Sequence, residues 1–242
     1  MSVPRLALIT GGAKRVGRAI VEKLADTGFD IACTYRSSAN EANELKSHVE
    51  SLGRKCTAIE VDLTHPVQAV EQIAAALAPL SRLDVLVNNA SIYHPGKLQD
   101  PLTADAAKMW AIHVETPLAL CNAFESQLRA ARGHVVNMVD LLAERPWPQY
   151  LAYSASKAGL WNLTLGLARA LAPEVTVNGI APGVVEWPND YPESEKEKYL
   201  KRVPLARAGT PQDVAEAVAF LCTSGSYMTG QILRLDGGRS IT

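Results

Sequence analysis

The sequence predicts an α/β protein, a doubly wound parallel sheet with helices on both faces. Two observations carry this expectation. Short, β-branched apolar runs alternate with longer segments of helical periodicity along the whole chain. That alternation means strand–helix–strand units, whose strands run parallel and whose helices cover both sheet faces. The local punctuation agrees. Thr103 and Thr210 stand where helix N-caps belong, Pro211 follows at a first helical position, and Gly28 and Gly53 stand where helices should stop.

Taken in order, the run Pro4–Ile9 reads as a buried strand that feeds a Gly-rich turn and a helix over Val16–Thr27. Asp30–Tyr35 and Lys55–Val61 are strands followed by helices at Glu41–Gly53 and Val67–Leu80. Asp84–Val87 leads to one long helical stretch, Ala104–Arg132, and His134–Met138 leads to a helix over Tyr150–Ala172. Val175–Gly179, a helix at Pro211–Thr223 and the strand Gln231–Leu235 complete the set. One segment breaks the rhythm: Val184–Val203 is polar, Pro-containing and rich in charge. Such an insertion reads either as a lid or binding loop, or as a solvated surface helix. With no internal repeat or linker, one domain spanning residues 1–242 with an insertion at 184–203 is expected.

Composition narrows the function classes. A formal net charge of −1 with scattered Lys and Arg gives no footprint for a nucleic-acid backbone. Cys33, Cys56, Cys121 and Cys222 lie far apart without a C-x-x-C, so buried thiols in a reducing compartment fit better than a metal site or a disulfide framework. The N-terminal apolar stretch is short for a signal sequence, and no span reaches the ~20 apolar residues a bilayer needs. A cytoplasmic protein free of the membrane is expected.

The chemistry starts at the first turn. Gly11, Gly12 and Gly17 follow a buried-type strand and open a helix, so backbone can approach a diphosphate and N–H groups can point at it. About twenty residues on, where an NAD enzyme carries an acid for the ribose 2′-OH, this chain has Tyr35, Arg36, Ser37 and Ser38. A guanidinium and two hydroxyls suit a 2′-phosphate, so NADPH is expected over NADH. Lys14 and Arg15 should make the pocket more cationic. Further on, Tyr153 and Lys157 stand four residues apart on one helix face. Tyrosine normally titrates near ~10, and an adjacent ammonium would favour phenolate and make the hydroxyl a usable acid.

On these residues the chain resembles the short-chain dehydrogenase/reductase family. The matching motifs are Thr10–Gly17, Asp62-Leu63, Asn88-Asn89-Ala90, Tyr153 with Lys157, Asn178–Gly183 and Leu235–Gly238. The resemblance implies a Rossmann-type sheet of seven strands in the order 3-2-1-4-5-6-7. It also implies an adenine pocket at Asp62 and Leu63, a nicotinamide floor near Asn89, Ala90, Pro182 and Gly183, and a homotetramer. Gly11, Lys14, Arg15, Val16, Tyr35, Arg36, Ser37, Ser91 and Lys157 complete the expected cofactor set.

Three departures from the common family pattern are similar to the pteridine reductases and dihydromonapterin reductases: Arg15 replaces a turn glycine, Ser91 and Tyr93 follow Asn-Asn-Ala, and Asp140 replaces the catalytic serine. That likeness implies a catalytic set of Asp140, Tyr153 and Lys157. It implies a pterin or dihydropterin substrate held by Arg15, Ser91, Tyr93, Asp140, Tyr150 and Tyr153, with Tyr93 as a stacking platform and no metal. His113 stands where the family has a relay asparagine, and reads equally as a relay group or as a satisfied buried histidine. Trp147 and Trp187 read equally as packing or pocket residues. Two alternatives stay open: a carbonyl reductase for a 3-oxoacyl thioester, sugar or steroid ketone, and a non-catalytic NADPH-binding redox sensor.

Overall fold

The computed structural model describes residues 4–96, 104–187 and 190–242. Seven strands form one parallel sheet: β1 (Arg5–Ile9), β2 (Phe29–Tyr35), β3 (Cys56–Glu60), β4 (Val85–Asn88), β5 (His134–Met138), β6 (Thr176–Pro182) and β7 (Ile232–Leu235). Their order is β3-β2-β1-β4-β5-β6-β7, and every neighbouring pair is parallel. The helices are α1 (Arg15–Asp26), α2 (Ala39–Ser51), α3 (Pro66–Leu77), α4 (Ala104–Trp110), α5 (Thr116–Ala123), α6 (Glu125–Ala131), α7 (Leu151–Leu171), α8 (Glu193–Leu200) and α9 (Pro211–Thr223).

Alternation along β1 shows how the two layers arise. Ala7 and Ile9 point into a core shared with α1, α2 and α9, whereas Leu6 and Leu8 point into a second core with α3, α5 and α7. Both faces are therefore apolar, which is why the strands read as continuous hydrophobic runs. β6 extends to Pro182, beyond the expected Gly179, because Gly179–Pro182 continue to pair with Ile232–Leu235. Thr210 caps α9 in a reciprocal capping box with Asp213, as its position before Pro211 suggested. The expected cap Thr103 lies outside the described residues.

The largest difference from expectation is the stretch Ala104–Arg132, which is not one helix. α4 runs into a π-helical turn at Ala111–Glu115, then α5, then α6, with a break at Phe124. Pro117 supplies the reason for the π turn: it has no N–H to give the carbonyl four residues earlier, that of His113. The turn sits tightly on α7 at Gly159, where a side chain would come within 3.0 Å of Val114 and 3.2 Å of Trp110. His113 is thereby buried beside the start of α7.

A buried polar chain fixes α7 against the sheet. Asn88 of β4 donates to Asn137 of β5 (2.8 Å), Asn137 donates to Thr164 of α7 (2.9 Å), and Thr164 donates to the Leu160 carbonyl (2.7 Å). The four cysteines are buried and unpaired. No helix among the described residues is long and apolar enough to cross a membrane.

Candidate active site

The carboxyl ends of the strands open into two adjoining spaces. The first is a cleft of about 450 Å³ over β1, β2 and β4. Gly11, Lys14, Arg15, Val16, Tyr35, Arg36, Ser37, Asp62, Leu63, Asn89, Ala90, Ser91, Lys157, Pro182 and Gly183 all line it. Gly11 sits at φ +64, and a Cβ there would be 3.0 Å from Ala90 Cα. At Gly17 a Cβ would meet the Gly11 carbonyl oxygen at 2.1 Å, so only glycine lets α1 pack down on the turn. No side chain caps α1, which leaves the N–H groups of its first turn facing the cleft. The Asn89 amide is committed to this turn, donating to the carbonyls of Thr10 (2.9 Å) and Gly11 (3.1 Å).

The cationic character expected of the turn needs correction. Lys14 is paired with Glu41 at 2.6 Å, and Arg15 with Glu186 at 2.5 Å, so each charge already has a carboxylate. Arg36 and the uncapped helix end remain as the anion-attracting features beside Ser37. Arg15 also adopts a left-handed backbone, φ +54, at the position where the family usually has glycine.

The second space, about 530 Å³, holds Arg15, Ser91, Tyr93, Asp140, Tyr150 and Tyr153 on its walls. Asp140 lies at the end of β5 and caps the short turn Leu141–Ala143. One carboxyl oxygen accepts from the Leu142 N–H (2.7 Å), the other from the Tyr153 hydroxyl (2.8 Å). Lys157 is buried and donates to the Met138 carbonyl at 2.7 Å, with its ammonium 5.7 Å from the centroid of the Tyr153 ring.

Burial of its carboxyl group raises the pKa of Asp140, against the opposing pull of the Leu142 N–H, the Lys157 charge and the Tyr153 hydroxyl. Burial lowers Lys157 to about 8, partly offset by Asp140. Tyr153 is pushed well above the ordinary tyrosine range by burial and by Asp140. The expectation that Lys157 would favour the phenolate is thus not met in this arrangement: burial and the carboxyl outweigh the ammonium.

The aromatic groups form a cluster rather than an isolated platform. Tyr93 stacks on Tyr150 (centroids 4.2 Å, 12° between planes) and meets Tyr153 nearly at right angles (4.7 Å, 86°). The loop carrying Tyr93 is tied to the start of α7 by the Gly96 N–H, which donates to the Gln149 carbonyl (2.9 Å). Tyr93 keeps 42% of its surface exposed, so part of the ring is still open to a flat ligand.

His113 proves to be fully engaged. Its Nδ1 lies 2.8 Å from Ser156 Oγ, and its Nε2 lies 2.8 Å from Ser91 Oγ. The single Ser156 hydroxyl proton goes to the Tyr153 carbonyl at 2.7 Å. His113 Nδ1 must therefore carry the ring proton, and Nε2 accepts from Ser91. Burial, helped by the Lys157 charge, drops His113 to about 2, so the imidazole stays neutral. Ser91 consequently turns its lone pairs, not its proton, toward the cavity.

Sequence reasoning missed Glu186, Ser156, Arg145, Tyr199 and Arg239 as neighbours of the site. Ser156, one residue before Lys157 in the Tyr-Ser-Ala-Ser-Lys run, was the one with a local signal. The segment 184–203 contains the exposed helix α8, and the same segment supplies Glu186, Trp187, Tyr191 and Tyr199 to the cavity. Trp187 packs against Tyr191 (4.9 Å) and Tyr199 (5.4 Å).

Comparison with known proteins places this geometry in a family. Residues 11–240 match the family model described as enoyl-(acyl carrier protein) reductase. Pteridine reductase 1 of Leishmania tarentolae is 31% identical, over 98% of this chain and 96% of its own length. The 3-oxoacyl-(acyl-carrier-protein) reductase of Staphylococcus aureus strain Mu50 is 30% identical, over 98% and 99%. A solved structure, the blue fluorescent protein from a metagenomic library in complex with NADPH, superposes with a TM-score of 0.91 at 35% identity and 97% coverage of both chains. The chain belongs to the short-chain dehydrogenase/reductase family and is an oxidoreductase of that family. The two named reductases are equally similar to it, so the substrate has to be argued from the site.

Proposed function

We propose that this protein is an NADPH-dependent reductase that transfers hydride to a C=N bond of a pterin or dihydropterin. The carrying observation is Asp140: a carboxyl of raised pKa, hydrogen-bonded to Tyr153, in an aromatic cavity that also holds Arg15, Tyr93 and Tyr150. A carbonyl reductase of this family usually has a neutral serine there to hold the carbonyl oxygen, and this chain has none at that position.

The cleft fits a phosphorylated dinucleotide. The glycine turn admits close backbone approach, the first turn of α1 offers N–H groups, and Arg36 with Ser37 suits the 2′-phosphate. Asp62 and Leu63 would border the adenine, and Asn89, Ala90, Pro182 and Gly183 the nicotinamide end. Lys157 would hold the ribose beside it. When bound, the dinucleotide supplies the hydride.

The chain's own residues supply the proton. Tyr153 keeps its proton at neutral pH because burial and Asp140 hold its pKa high, so it stands ready to donate to the ring nitrogen next to the reduced carbon. As Tyr153 gives up its proton, the Asp140 carboxyl 2.8 Å away returns one to the phenol oxygen whenever it carries a proton, and Lys157 offsets the negative charge that develops. Ser91, oriented as an acceptor by His113, takes an N–H of the ligand. Arg15 reaches the ring edge once Glu186 releases it or shares it.

The test is NADPH oxidation with dihydrobiopterin, dihydromonapterin and acetoacetyl thioester as substrates. Turnover of a dihydropterin at least comparable with that of the thioester is expected; thioester reduction without any pterin turnover assigns the alternative. Tight NADPH binding with no turnover of any substrate would point instead to a sensor. We further infer a homotetramer, for which Trp110, Leu118 and Leu165, exposed on α4, α5 and α7, offer apolar contact surface; light scattering gives the mass. With four buried, unpaired thiols, the cytoplasm is the compartment that suits it.

A further inference from the structure

The wall of the substrate cavity contributed by the turn after β5, by α8 and by the segment after β7 carries an unused cation. Arg239 is only 8% exposed, lines the cavity, and has an Nε with no hydrogen-bond partner. Its guanidinium carbon lies 5.7 Å from the centroid of the Tyr199 ring. Asp236, three residues before it, spends both carboxyl oxygens on backbone N–H groups, those of Gly238 (3.0 Å) and Ser240 (2.6 Å). Arg145 lines the same wall and donates to the backbone oxygen of Thr242 at 3.0 Å. Among the described residues, neither guanidinium lies within ion-pair distance of an Asp or Glu side chain. Glu186, which also lines the cavity, is paired with Arg15.

A largely buried guanidinium without a partner is a costly arrangement, because its lost hydration is not replaced. Like charges make it costlier: after burial itself, Arg202 and Arg145 are the groups that pull the Arg239 pKa down. Such a group is stabilised by an anion arriving from outside. The cavity it faces is the one that holds Asp140 and Tyr153, so that anion belongs to the molecule being reduced.

We propose that Arg239 and Arg145 form an anion subsite of the substrate cavity, which takes a carboxylate or phosphate carried on the side chain of the substrate. This deepens the reading of the cavity as a reductase site and rests on it for the location of the reacting ring. It means that a tailed, anionic substrate is preferred over the bare ring. The guanidinium fork suits either anion, and two arms of the experiment separate them.

The first measurement does not depend on turnover. The protein is saturated with NADP+, so that the dinucleotide's own phosphate sites are filled, and titrated with inorganic phosphate by calorimetry. Saturable binding is expected in the wild type, weakened about tenfold or more in Arg239→Met and recovered in part in Arg239→Lys. Equal phosphate binding in wild type and Arg239→Met, or no saturable binding in the wild type, overturns the proposal. NADP+ affinity of the variants reports whether they fold.

The second measurement compares KM for a neutral dihydropterin, for one with a carboxylate tail and for one with a phosphate ester. Arg239→Met should raise KM for the preferred anionic form about tenfold or more relative to the neutral one. The arm with the larger ratio identifies the anion. An equal change for all three overturns the proposal. If no pterin is reduced although phosphate binding depends on Arg239, the pterin reading fails while the anion subsite stands.

Discussion

Replacing Asp140 by asparagine keeps the shape of the side chain and removes its acid, so it isolates what the carboxyl contributes. In the native arrangement each carboxyl oxygen accepts one hydrogen bond, from the Leu142 N–H at 2.7 Å and from the Tyr153 hydroxyl at 2.8 Å. A carboxamide has one acceptor end and one donor end, so one of those two contacts is lost or set donor against donor. Leaving such a group unmatched costs about 1–3 kcal/mol. For a chain of this size that is roughly 2–4 °C of Tm per kcal/mol. The deficit should depend on pH. Asp140 has a native pKa raised above the ordinary 3.8, so over the interval between the two values the native state binds more protons than the unfolded chain. Wild-type stability from this group is therefore complete below 3.8 and falls as pH rises through the raised value. Asparagine has no such dependence, and the gap between variant and wild type should narrow as pH rises through the raised Asp140 pKa. In the same variant kcat/KM should fall by about 10²–10⁴, the range for loss of a positioned proton donor. The decline of wild-type activity as pH rises through the Asp140 pKa should vanish from its profile. Thermal melts across pH and steady-state pH profiles check both parts. An Asp140→Asn enzyme with wild-type rate and an unchanged profile would refute the role given to the carboxyl.

Three further outcomes are expected. Arg36→Asp removes charge-assisted hydrogen bonds to a 2′-phosphate, worth about 1.5–3 kcal/mol, and adds repulsion, so the NADPH over NADH preference in kcat/KM should fall by roughly 10- to 100-fold or more. Arg15→Gly relieves a left-handed residue at φ +54 and should leave the protein equally or more stable, by up to about 1 kcal/mol, while KM for the pterin rises; a clear loss of stability in melts would contradict the strain. Lys157, lowered to about 8 by burial, loses its charge in the ligand-free protein as pH rises past that point. Its hold on the ribose should weaken accordingly, with NADPH affinity declining above about 8 in wild type and staying flat in Lys157→Met, as fluorescence titration would show.

The sheet was legible because a strand buried on both faces must be apolar throughout, as Leu6 to Ile9 are, and because a glycine turn with φ +64 at Gly11 leaves a trace in composition. The long helix was misread for a local reason that the sequence does contain: Pro117 cannot serve the His113 carbonyl, and the π turn follows. Site residues that act through one chain segment, such as Tyr153 and Lys157 on α7, were open to spacing arguments. Pairings across the fold were not. Arg15 meets Glu186 over a separation of 171 residues, so the charge expected at the turn was counted without its partner. The same holds for His113, whose tautomer depends on Ser91 and Ser156 together, and for Arg239, whose burial beside Tyr199 no periodicity announces.

The most direct measurement follows the hydride itself. NADPH carrying deuterium at the transferable position is mixed with the enzyme, a dihydropterin and a 3-oxoacyl thioester, and the products are separated and examined by mass spectrometry and NMR. Deuterium on a ring carbon of the tetrahydropterin is the predicted result. Label found solely on the hydroxyacyl carbon, with the pterin recovered unchanged, would contradict the account.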